Sequence, residues 1–111
     1  MKKILVLSIA GLGLIASGIA FAAHTPKGDA EQGKAKAAAC AACHGADGNG
    51  MAATPQYPKL ADQVPGYIES QLIAFKNGSR QDPIMAGMVA ALSEQDMADL
   101  DAYYSNLPAA G

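Results

Sequence analysis

Apolar residues recur at helical spacing in two stretches of the chain, and no stretch alternates as a half-buried strand requires. In the first, Ile68, Leu72 and Phe75 share one face, with Tyr67 beside them. The spacing predicts a helix over 65–77, with Pro65 near its first turn and Gly78 just past its end. In the second, Met97, Leu100, Tyr104 and Leu107 form one stripe. Ser93 and Asp96 supply a variant capping box before that stripe, and Pro108 stops it. Upstream, Asp29 followed by Gln32 predicts another capping box, opening an alanine-rich helix through "EQGKAKAAACAAC". Gly33 lowers the propensity of that helix and suits close approach by another element. "IMAGMVAAL" is short and apolar, enough for one or two helical turns after Pro83. The expected fold is all-α, with three main helices, a short one and much loop.

The long irregular segment from His44 to Gly66 carries turn chemistry at Asp47-Gly48 and Asn49-Gly50. "DGNG" is similar in composition to a calcium loop, but the downstream bidentate glutamate is missing. A loop of this length in a small domain wraps something or stays disordered.

Residues 1–22 do not belong to this pattern. A basic "MKK" precedes 19 uncharged residues that end in Ala20-Phe21-Ala22. That is the layout of a signal peptide cleaved after Ala22. The alternative is an uncleaved membrane anchor, since the run is long enough to span a bilayer. Gly and Ser thin the run, which favours cleavage. The expected domain is residues 23–111, exported to the periplasm and without a membrane span after processing. It would retain 6 of the 8 basic residues, once Lys2 and Lys3 are removed, and all 10 acidic ones, for a net charge of −4. No basic stripe remains, which argues against nucleic acid as a partner. A domain this small, with no tryptophan, has little material for a core. A bound planar cofactor would supply some.

Both cysteines of the chain fall in "CAACH", Cys40 to His44. Covalent haem attachment needs this arrangement. The thiols add to the haem vinyl groups, and the histidine that follows is placed under the iron. Competing readings are weaker. A thioredoxin-like site belongs beside a βαβ pattern, which is absent. A zinc site needs further ligands, and the only other histidine is His24, near the new N-terminus. A catalytic thiol lacks an internal base. The second axial position calls for methionine, a soft thioether. Met97 suits the core stripe, and Met51 lies close to His44 in sequence. Met85 and Met88 follow Pro83, far enough along for the chain to return to the haem.

With Cys40, Cys43, His44, "YPKLADQ" and "DPIMAGMVAALSEQDMADLDAYYSNL" in place, the chain resembles the class I c-type cytochromes. It is most similar to the small bacterial branch whose domains occur singly, as in cytochrome c-553, or as tandem two-haem proteins. The resemblance covers Asp29 to Leu107. It implies the class I cytochrome c fold around one covalent haem c, with Gly33 and Tyr104 near the crossing of the first and last helices. It implies His44 and Met85 as axial ligands, with Met88 a neighbour at the haem edge. The Pro58 carbonyl would accept a bond from the His44 ring, and Leu60 would pack on the haem. Ala37 replaces a larger aromatic and implies a weaker contact between terminal helices. The implied function is one-electron transfer between redox proteins by a monomeric carrier rather than an enzyme. The rivals are a haem sensor or small catalyst with an open iron, and a relay subunit of a larger oxidoreductase.

Overall fold

Asp29 opens the first helix, α1 (Ala30–Lys36), by accepting the amides of Glu31 and Gln32 at 2.9 and 3.1 Å. The computed structural model describes residues 26–110 together with Gly11 and Gly13, so the expected leader otherwise lies outside the described residues. Only half of the expected capping box forms at α1. The Asp29 amide is taken by the buried Asp99 carboxylate at 2.8 Å, so it has no need of Gln32.

The alanine-rich stretch expected as one helix is two: α1 and α2 (Ala38–His44). The break lies at Ala37, whose carbonyl accepts from Cys40 at 2.9 Å and from Ala41 at 3.0 Å. The i+3 bond tightens the turn locally. It also leaves Ala37 buried in the core, while the following turn carries Cys40, Cys43 and His44.

Further helices are α3 (Tyr67–Asn77), α4 (Pro83–Val89) and α5 (Glu94–Ser105), and the described residues contain no strand. α3 starts at Tyr67 rather than Pro65, because Gly66 takes a left-handed conformation (φ 91°) at its N-cap. The Asp101 carboxylate of α5 replaces a local cap. It accepts the amides of Gly66 and Glu69 at 2.9 and 3.0 Å. Asp82 caps α4 by accepting from Ile84 and Met85, both at 2.9 Å, and Pro83 occupies the first turn. Ser93 and Asp96 form the expected reciprocal box at α5.

α5 is the central element, packed by α1 and α3. Met97, Leu100 and Tyr104 of its stripe are buried with Ala37, Ile68, Leu72 and Val89. Leu107 lies beyond the end of α5 and packs on this cluster from outside. The α1–α5 crossing is close despite Ala37. A Cβ on Gly33 would stand 2.0 Å from the Asp99 carbonyl oxygen, and one on Gly28 would stand 2.1 Å from that of Ala98. Only glycine allows backbones to approach so far.

The long loop is ordered by its own backbone. The Gly48 carbonyl accepts from Leu60 and Ala61 at 2.7 and 2.9 Å, and Gly50 donates to the His44 carbonyl at 2.8 Å. Asn49 ties the loop to the C-terminal segment, donating to the Pro108 carbonyl at 3.2 Å and accepting from Ala110 at 2.8 Å.

Candidate functional site

α2 places Cys40 and Cys43 one helical turn apart, so both thiols lie on the same face. Gly45 ends α2 with φ 88°, a conformation natural to glycine, and turns the chain into the loop. The loop then brings Pro58 back to His44. The His44 ring is buried, and its Nδ1 lies 2.7 Å from the Pro58 carbonyl oxygen. A carbonyl can only accept, so Nδ1 carries the proton, and Nε2 is the nitrogen left for a metal. A neighbour of this kind fixes both ring orientation and tautomer, as metal-ligating histidines require.

These residues line a cavity of about 540 Å³, within the usual size of cofactor pockets. Cys40, Cys43 and His44 meet there with Leu60, with Ile68, Leu72 and Phe75, with Leu100 and Tyr104, and with Met85 and Met88. Pro58 lines it as well. The two cysteines are not bridged to each other. Burial pushes the Cys40 thiol up, so it stays protonated at neutral pH, against a smaller opposing pull from Tyr104. Burial also pushes up the Tyr104 phenol, which remains a neutral wall of the cavity.

The residues fit a haem. Thiols, an imidazole with a free lone pair, a thioether and apolar walls share one space large enough for a macrocycle. All six residues expected at the site, Cys40, Cys43, His44, Pro58, Leu60 and Met85, line it. Met97 does not. It is 2% exposed in the core, as its stripe implied. Met51 does not line the cavity either. Met88 lines it but is 41% exposed, whereas Met85 is half-buried and packs against the core cluster.

The polar lining residues to which the sequence reading gave no role are Gln56, Lys59, Gln63, Gln71, Arg80 and Asp82. Gln71 carried a signal. It completes an i, i+3, i+4, i+7 set with Ile68, Leu72 and Phe75. The others sit in irregular segments without periodicity.

The family model for Cytochrome c matches residues 30–108. The chain is 47% identical to cytochrome c4 of Pseudomonas aeruginosa over 106 residues, which is 96% of this chain and 49% of that protein. It is 44% identical to cytochrome c-554(548) of Halomonas halodenitrificans over 82 residues, covering 71% of this chain and 96% of that one. The crystal structure of reduced recombinant cytochrome c4 from Pseudomonas stutzeri matches with a TM-score of 0.69 at 43% identity. The match covers 75% of this chain and 47% of that chain. The chain thus spans about half the length of the cytochrome c4 relatives. Built to hold one covalent c-type haem on Cys40 and Cys43, within an all-helical fold like that of cytochrome c4, the chain belongs to the cytochrome c family.

Proposed function

We propose that this protein is a one-electron carrier in which His44 and Met85 would hold the iron of a haem. The haem supplies the one-electron couple. The chain's own residues hold it and set its surroundings. Cys40 and Cys43 would tether it as thioethers, and the Pro58 carbonyl holds the His44 ring. Leu60, Ile68, Leu72 and Leu100 keep water from its faces.

The observation that carries this reading is the presence of His44, with its Nε2 free, and the half-buried Met85 on one cavity. Were both residues to hold the iron, no position would be left open on it for a small substrate. That favours electron carriage over the sensor or catalyst reading.

Met85→Ala tests it. The variant should lose the near-infrared band of sulfur bonded to ferric iron and bind carbon monoxide when reduced. Met88→Ala should keep the band. The reverse pattern would make Met88 the ligand, and carbon monoxide binding by the unaltered protein would favour the open-iron reading.

A relay role inside a larger oxidoreductase is the second reading. It is favoured by the likeness to part of thiosulfate dehydrogenase from Marichromatium purpuratum, at 36% identity over 72% of this chain and 19% of that one. The native mass of the protein from its host decides between carrier and subunit. In both readings residues 1–22 direct export and are removed, so the working compartment is the periplasm. An intact mass equal to residues 23–111 plus one haem tests this together with covalent attachment.

A further inference from the structure

Most of the cavity wall is apolar, and its amide and charged side chains fall in two stretches: Gln56, Lys59 and Gln63 of the long loop, and α3 with the 78–82 turn. Gln71, Arg80 and Asp82 line the second. The Arg80 guanidinium lies 4.5 Å over the Phe75 ring, and its Nη1 donates to Gln71 Oε1 at 2.6 Å. Both partners are also cavity residues, so the guanidinium is held at the cavity by contacts on its face and its edge.

Its charge is not matched. Among the described residues, no carboxylate lies within ion-pair distance of Arg80. Among the described residues, Asp82 is the only acidic one lining the cavity. Its Oδ1 is committed to the amides of Ile84 and Met85. A guanidinium presents a planar fork of N–H donors that matches a carboxylate edge to edge. Stacking on an aromatic ring leaves that fork open.

We propose that Arg80 is the charge partner of a haem propionate. Gln71 and Phe75 position its guanidinium to receive the carboxylate where the cavity meets solvent. This rests on the covalent haem proposed above and adds a function for residues that the attachment motif leaves unused. The pair gives the haem a defined rotational seat besides its thioethers. It also offsets a negative charge near the iron. An anion beside the iron favours the ferric state, so its cationic partner raises the midpoint potential.

The test uses the matured, haem-loaded protein. Its crystal structure should show a propionate within hydrogen-bond distance of the Arg80 guanidinium. Arg80→Met keeps an apolar stem on Phe75 but removes the charge and the fork. It should lower the midpoint potential by at least about twice the shift caused by Lys34→Met, which removes an equal charge from a residue outside the cavity. Arg80→Lys should recover part of the difference. A structure in which Arg80 bonds only Gln71 or turns to Asp82 would overturn the proposal. So would equal potential shifts for Arg80→Met and Lys34→Met. Both failures would leave a covalent haem with a reversible couple, and so differ from failure of the carrier reading, in which the haem or the couple itself is missing.

Discussion

Gly33 decides how closely the terminal helices meet. Its missing side chain lets α1 rest directly on the Asp99 carbonyl and the Tyr103 Cβ. In an isolated helix, Gly33→Ala would gain about 1 kcal/mol from propensity. Here the new methyl overlaps backbone, which has no rotamer to escape into. Such overpacking costs about 1–3 kcal/mol or more. With backbone overlap placing the cost near the top of that range, the net loss is about 2 kcal/mol and the variant should melt about 8 °C lower, and an unchanged melting temperature would show that the helices can separate cheaply. Gly66→Ala tests a different cause. Nothing lies near a Cβ at that position, so its cost would come only from φ 91°.

At the scale of elements, short helices depend on caps because their own hydrogen bonds are few. α4 has 7 residues and carries Met85 in its first turn. Its start depends on the Asp82 carboxylate, which accepts the amide of Met85 itself. Asp82→Ala should remove about 1 kcal/mol from this turn. The effect should show at the iron, because a frayed α4 holds its thioether less firmly. Exogenous imidazole should bind the ferric variant about fivefold more tightly, by the same free energy. Unchanged imidazole affinity would mean that core packing alone, through buried Val89, holds the segment.

The whole molecule is stapled by carboxylates of α5. Lys36 reaches across from α1 to Asp96 at 2.8 Å and Asp99 at 2.5 Å. The Lys36 bond is the main cause that lowers the Asp96 carboxyl from its ordinary 3.8 to about 2. For Asp99, burial pushes the carboxyl up, but bonds from Lys36, the Asp29 amide and Gln95 outweigh it and leave the carboxyl low. A carboxyl lowered in the folded state binds protons more readily when unfolded. Its contribution is therefore complete above the ordinary value and fades as pH falls from about 4 toward 2. Glu69 opposes this weakly, since burial and then Asp101 and Glu94 raise its carboxyl. Acid titration followed by helical circular dichroism should show a cooperative loss in that window. Asp99→Asn should be less stable at neutral pH and show a shallower acid limb. An identical limb would assign acid unfolding to other groups.

Charge also bears on the partners. Ile84 and Met88 stand exposed beside the cavity at 56% and 41%, in a chain of net negative charge. Docking at an apolar rim should be only weakly salt-dependent, because attraction between exposed charges is screened beyond about 10 Å at 0.1 M salt. Electron-transfer rates should change a few-fold at most from low to moderate salt. A steep fall would show steering by charge.

The sequence alone determined what depends on neighbours along the chain. The helical stripes, the Ser93 box, the helix after Pro83 and the Cys40-to-His44 spacing are all local patterns. Cys40, Cys43 and His44 were legible because their chemistry depends on a spacing within one turn. The tertiary structure decided what depends on residues far apart. Asp101 caps α3 across 35 positions, and Asp99 takes the Asp29 amide across 70. Neither carboxylate is marked by its surroundings in the sequence. The break at Ala37 belongs here too. Propensity favours one continuous helix, but the chain tightens at Ala37, which is buried in the core, just before Cys40 and Cys43 reach the cavity. Arg80 entered the site the same way, since only the fold of α3 against its following turn sets a guanidinium over Phe75 and beside Gln71. Local hydrogen bonding and periodicity are written in short windows, whereas contacts closed by the whole chain follow from packing around one core.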